Sequence, residues 1–248
     1  MKRLLVMLIA AALALSLASC GTTGENGGSD TVADGTATEP VRAAEESTDG
    51  GETTAAQAAE ESEYFKNGAV LFRGFLELSG EEFVSLVEAQ GYEWYDDDYV
   101  LSGFADAGAS SGFQKNFLTD YIEVFDGPTD FRSYEDIKSA GKGDLSGMGV
   151  AFNVRGEYAD GSESISVVFD GLEIGEVRKD PYDEKGSGAA RVKDGNGTEY
   201  LALYTTEFYT NGTATVSFIV RTNEYFAANP FGGTASSIDA VWSQLYVG

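Results

Sequence analysis

The chain reads as an α+β protein: a mainly antiparallel sheet built of hairpins, with about three helices packed on one face, in a single domain. Three observations predict this. Strand-like runs are separated by Asp-Gly and Asn-Gly dipeptides without a helix between each pair, which favours hairpins over parallel crossovers. Serine-led caps open three amphipathic stretches. The 15 Phe, 13 Tyr and 2 Trp all lie at or beyond Tyr64, so the core is built from residues 62–248, a length at which one domain buries most of its surface.

Ser79-Gly-Glu-Glu82 is a capping box, after which Phe83, Leu86 and Val87 share one helical face until Gly91 stops the helix. Tyr92-Glu-Trp94 and Thr119 to Phe125, the latter followed by Asp126-Gly127-Pro128, read as strands. Ser133-Tyr-Glu-Asp136 opens a shorter helix with Ile137 and Ala140 turned inward. Its likeness to the Ser79 segment hints at a duplicated unit, although capping chemistry alone produces the same letters.

Val150 to Val154 and Ile165 to Phe169 both alternate apolar with other residues, and Asp160-Gly161 between them predicts a hairpin. Ala189 to Val192 and Tyr200 to Leu203 flank Asp194-Gly-Asn196-Gly, a tight-turn sequence. That segment begins like a calcium loop, but Glu199 and Thr205 occupy the positions where an EF-hand needs glycine and glutamate. Tyr200 to Phe208 and Thr213 to Arg221 form another hairpin around Asn211-Gly212, with Val216, Phe218 and Val220 as the inward set. Ile238, Val241, Trp242 and Leu245 fall on one stripe after the candidate cap Ser236, predicting a helix that seals the core.

Composition excludes several chemistries. The chain of 248 residues has no histidine, one cysteine, and 16 basic against 41 acidic side chains, a formal charge of -25. Imidazole bases, His-ligated metals, cysteine zinc sites and an intramolecular disulfide are absent from the repertoire. Such a charge repels polyphosphate backbones, so nucleic acid is not an expected partner.

The densest carboxylate run is Asp96-Asp97-Asp98, flanked by Trp94, Tyr95 and Tyr99. These six residues are the candidate binding or cation site: clustered oxygens suit hard cations, and the rings would stack on sugars. The competing reading is a solvated loop, since three consecutive side chains in an extended segment do not converge. Paired carboxylates could hydrolyse glycosides without histidine. A serine nucleophile would have to rely on lysine, and Ser102 to Gly112 reads as a mobile loop. No residue is singled out as catalytic, and no metal or cofactor is called for.

The leader has three parts. Lys2 and Arg3 precede an apolar run from Leu4 to Leu15, and small residues follow up to Gly21, the layout of an export signal too short to span a bilayer comfortably. Leu17-Ala18-Ser19-Cys20 resembles the lipobox of bacterial lipoproteins, with Ser19 where glycine or alanine is commoner. The resemblance implies a signal peptide over residues 1–19 and a diacylglyceryl group on Cys20, the sole cysteine. Membrane lipid is then a partner, and two acyl chains suffice for a stable anchor. Residues 20–61 carry ten carboxylates against Arg42 alone and no aromatic. They read as an acidic, disordered tether.

Together these features lead us to expect a lipid-anchored extracytoplasmic protein, a non-catalytic binding module meeting a protein or glycan at the cell envelope. The alternatives are a carboxylate-dependent glycan hydrolase and the solute-binding component of a transporter.

Overall fold

The computed structural model describes residues 62–97, 110–116, 120–128, 130–147 and 149–246. The chain enters through a small hairpin, β1 (Phe65–Lys66) and β2 (Ala69–Val70). Its two turn residues, Asn67 and Gly68, have φ of 51° and 79°, the left-handed pair that a two-residue turn between twisted strands requires. Helix α1 (Phe72–Glu77) follows, burying Phe72 and Phe75. Helix α2 (Gly80–Ala89) then starts as expected: Ser79 accepts from the Glu82 amide while the Glu82 carboxylate accepts from the Ser79 amide.

Strands β3 (Glu93–Asp97), β4 (Ser110–Asn116) and β5 (Asp120–Gly127) meander antiparallel, and the short β6 (Asp130–Phe131) pairs back on β5. Helix α3 (Tyr134–Ser139) carries a second capping box between Ser133 and Asp136. It lies so close to α2 that a Cβ on Gly80 would stand 1.9 Å from the Ile137 carbonyl oxygen. Strand β7 (Gly149–Gly156) then joins β5.

The next element departs from the sequence reading. Residues 165–169, expected as a strand paired with β7 through Asp160-Gly161, belong to helix α4 (Glu163–Val168) and its C-terminal cap. The run Ile-Ser-Val-Val-Phe satisfies both periods. Ile165, Val168 and Phe169 are buried and Val167 is only half-buried, the helical choice. Asp160 decides it locally, its side chain accepting from the Ser162 amide and its carbonyl from the Glu163 amide, so the chain turns into a helix rather than a hairpin.

Strands β8 (Glu173–Asp180), β9 (Asp183–Lys193), β10 (Glu199–Phe208) and β11 (Ala214–Thr222) form a second meander. The hairpins across Asp194–Thr198 and Asn211-Gly212 are those the turn dipeptides predict. Helices α5 (Asn223–Ala228) and α6 (Ile238–Trp242) close the chain, α6 capped by Ser237 instead of Ser236.

The main sheet runs β3-β4-β5-β7-β11-β10-β9-β8 with β6 beside β5, and every pair is antiparallel. Each half has four strands in meander order, preceded by α1 and α2 in the first and by α4 in the second, and the halves meet at β7 and β11. Helix α3 lies inside the first meander, so the two capping boxes do not mark equivalent positions.

Alternation along the strands produces two cores. Val150, Phe152, Val216, Phe218, Ala202 and Tyr204 face α1 to α4. Ala151, Ile219, Leu201, Ala189 and Phe125 face Tyr225, Phe226, Ile238, Val241 and Trp242 of α5 and α6. Helices therefore cover both faces and number six among the described residues, where about three on one face were expected. The mainly antiparallel α+β character stands.

Candidate functional site

The aromatic-aspartate segment is taken apart by strand geometry. Trp94 and Tyr95 are consecutive in β3 and point to opposite faces. Trp94 packs edge-on against Phe113 (5.1 Å) and Tyr134 (5.5 Å). Tyr95 is buried and donates its hydroxyl to Glu123 at 2.7 Å. Both rings are thus engaged internally. Asp96 is exposed, and Asp96 and Asp97 lie within β3, opposite Ser111 and Ser110, not in a loop. Asp98, Tyr99 and Cys20, the expected lipidation position, fall outside the described residues.

Two serine spacings bear on nucleophilic chemistry. Gly108-Ala-Ser110-Ser-Gly112 has the G-x-S-x-G spelling, but Ser110 to Gly112 lie inside β4 instead of at a strand-to-helix elbow. Ser111 donates to the Arg132 carbonyl at 3.2 Å. The expected loop over Ser102 to Gly112 is therefore strand in its last three residues. Ser139-Ala-Gly-Lys142 has the S-x-x-K spelling, yet Ser139 bonds the Asp136 carbonyl of its own helix and Lys142 is exposed. Neither is an assembled nucleophile.

A cleft of about 440 Å³ opens at the end of the sheet where β9 turns into β10, on the side covered by α1 to α4. Leu76 and Glu77 of α1 form one wall, with Gly143, Ser146 and Gly147 beyond α3. The turn from Asp194 to Thr198 and Tyr200 of β10 form the floor; Leu172, Thr222 and Glu224 complete the rim. Its size suits a small ligand.

Asp194, Tyr200 and Glu77 are held in place by bonds within the fold. Asp194 Oδ1 accepts from the amides of Asn196 (2.9 Å) and Thr198 (2.8 Å), and Gly197 takes φ of 86° to complete the turn. Asp194 Oδ2 accepts from the Tyr200 hydroxyl at 3.3 Å. Burial, reinforced by the Asp194 charge, pushes the Tyr200 phenol up to about 12, so it remains a donor at neutral pH.

Glu77 Oε1 accepts from Arg73 Nε at 2.7 Å and Oε2 from Arg73 Nη2 at 2.8 Å, with the Tyr64 hydroxyl at 3.2 Å. The Arg73 guanidinium holds Glu77 below the usual glutamate range against the opposing effect of burial. A general acid for glycoside cleavage needs the opposite displacement. Glu224 lies in the first turn of α5, behind the Thr222 cap.

Compared with protein-family models, curated proteins and solved structures, the chain matches none. The site must therefore be read from its own chemistry. Three carboxylates and the hydroxyls of Ser146, Thr198, Tyr200 and Thr222 line the cleft, and no lysine or arginine does so among the described residues. Also among the described residues, no group of three or more carboxylates or thiols is arranged to hold a metal. No described helix is long and apolar enough to cross a membrane.

Sequence reasoning reached Asp194 as a turn residue and missed the cleft. Glu77, Asp194 and Glu224 are far apart in the chain, and only the closure of the sheet end brings them to one space.

Proposed function

We propose that the protein is a lipid-anchored, extracytoplasmic binding module of the cell envelope, and that the cleft between α1 and the β9–β10 turn takes a small ligand rich in hydroxyl or amine hydrogens. The observation that supports this reading is the lining itself: carboxylate and hydroxyl oxygens converge on a space of ligand size whose described lining has no lysine or arginine, the one cation bonded to a lining carboxylate being Arg73 on Glu77. Such a surface favours ligands that donate hydrogen bonds and repels anions.

A non-catalytic role agrees with the state of the two best-held acids. Asp194 spends one oxygen on its own turn, and Glu77 is neutralised by Arg73. The wholly antiparallel pairing is the wrong architecture for a two-lobed solute receptor, which is built from crossover units. The anchor is carried by the Leu17 to Cys20 segment, and the acidic stretch up to Glu61 would hold the binding domain away from an anionic surface.

Two measurements test the proposal. Mass spectrometry of the protein taken from its own membranes should find residues 1–19 removed and Cys20 diacylated; an unprocessed N-terminus removes the anchor. Calorimetric titration of the full chain in detergent with monosaccharides, disaccharides and diamines should give binding that Glu224→Gln weakens about tenfold, the effect of losing one charge-assisted hydrogen bond. Absence of heat with every member of the panel, or turnover of a glycan, overturns the binding reading.

A further inference from the structure

On the opposite face of the sheet from the cleft, Arg221 stands without a counter-charge among the described residues. Of the arginines among the described residues, Arg73, Arg132, Arg178 and Arg191 are each bonded to a carboxylate, and Arg155 to the Thr215 hydroxyl. Arg221 has no hydrogen-bond acceptor among them, and its Nε is sealed from solvent. Among the described residues, no carboxylate forms an ion pair with this guanidinium.

Among the described residues, the neighbours of Arg221 are apolar, aromatic or already paired. Arg221 in β11 lies between Leu201 of β10 and Gly149 of β7. The absent side chain at Gly149 is replaced by the Phe125 ring of β5, whose Cε2 would stand 2.3 Å from a Cβ built there. From α5 the Tyr225 ring lies beneath the guanidinium, 4.6 Å from its carbon to the ring centroid, and Tyr225 meets Phe125 edge-on at 5.8 Å. The carboxylates of Glu199 and Asp239 on the same face are held by Arg191 at 2.7 to 2.8 Å. Burial draws Arg221 below the usual arginine range, opposed only by the Tyr225 hydroxyl.

A stacked, half-buried guanidinium is oriented and partly desolvated before any ligand arrives, and its planar fork matches two oxygens of one group. The ring beneath supplies cation–π attraction but satisfies no N–H donor. A buried cation left unpaired lowers stability, and an apolar residue of similar volume would relieve that.

We propose that Arg221 is an anion-recognition residue that takes a carboxylate or phosphate oxyanion from outside the chain, its guanidinium held on the Tyr225 ring. This site is separate from the cleft, which repels anions, and does not depend on the reading given to it.

Thermal unfolding of the full chain in detergent tests this with sodium phosphate and sodium acetate as probes, against sodium chloride at matched ionic strength. Near-saturating probe should raise the wild-type Tm by about 3 °C, Arg221→Lys should respond less, and Arg221→Met not at all. In chloride, Arg221→Met should melt no lower than wild type. A response to phosphate alone or acetate alone identifies which oxyanion geometry the site accepts and supports the proposal. An unchanged wild-type Tm in both salts overturns it, as does an equal response in the methionine variant. A methionine variant that melts several degrees lower in chloride also overturns it, by showing the guanidinium to be a structural plug. If that variant does not fold, the wild-type and lysine responses decide: an equal response in both overturns the proposal.

Discussion

Phe152 and Phe218 face each other across β7 and β11, their ring centroids 5.7 Å apart and their planes within 20° of parallel. The pair occupies the seam where the two four-stranded meanders join. Phe218 also meets Phe169 edge-on and packs against Tyr204, and Phe152 packs against Phe75 of α1. One ring stack therefore ties both halves of the sheet to the helices above. Phe218→Ala should cost about 3 to 5 kcal/mol, read as a drop in the urea midpoint with little change in slope. A loss below about 1 kcal/mol would mean that the seam does not bind the halves into one cooperative unit.

The close approach of α2 and α3 makes a second prediction. Gly80 donates its amide to the Ala140 carbonyl at 2.9 Å, and an added Cβ would meet the Ile137 and Lys138 carbonyl oxygens at 1.9 and 2.7 Å. These are backbone atoms that cannot swing aside. In an open helix Gly→Ala stabilises by up to about 1 kcal/mol. Here Gly80→Ala should destabilise by at least about 1 kcal/mol, a reversal of sign measurable by thermal melting.

How much of this was legible in the sequence depended on how local the deciding interaction is. The Asn211-Gly212 hairpin and the Ser79 and Ser133 capping boxes are set by residues within a few positions of one another, and they appear as read. Residues 165–169 fit two periods equally, and the Asp160 turn together with packing on the Phe218 face chose the helix. The aspartates beside Trp94 are dense in the sequence, but β3 turns their neighbouring rings to opposite faces. Glu77, Asp194 and Glu224 share a cleft only because the end of α1, the β9–β10 turn and the start of α5 meet at one end of the sheet, a fact of topology with no local signature.

The Arg73–Glu77 pair predicts an acid-side dependence of stability. Glu77 is held below its ordinary value of 4.5 by the Arg73 guanidinium. A group depressed in the folded state stabilises it at pH above its unfolded value, and the contribution fades as pH falls through the folded value. Wild type should therefore exceed Glu77→Gln in stability at pH 7, with the gap closing between pH 4.5 and the lower folded value. Urea titrations of both proteins at pH 7 and pH 3 check this; a gap of equal size at the two pH values would show that the carboxylate charge is not what Arg73 recognises.

The Asp194–Tyr200 contact makes the last prediction, one that reads the floor of the cleft directly. Burial is the larger cause of the Tyr200 displacement to about 12, and the Asp194 charge and hydrogen bond add to it. Asp194→Asn removes the charge and keeps an oxygen for the Asn196 and Thr198 amides, so the turn should survive. The Tyr200 phenol should then ionise at lower pH but still above 10, because its burial is unchanged. Ultraviolet difference titration, with Tyr200→Phe to assign the transition, measures the shift. A phenol unmoved by the substitution would mean that Asp194 faces solvent instead of the ring, and the fixed oxygen array proposed to meet the ligand would lose its central member.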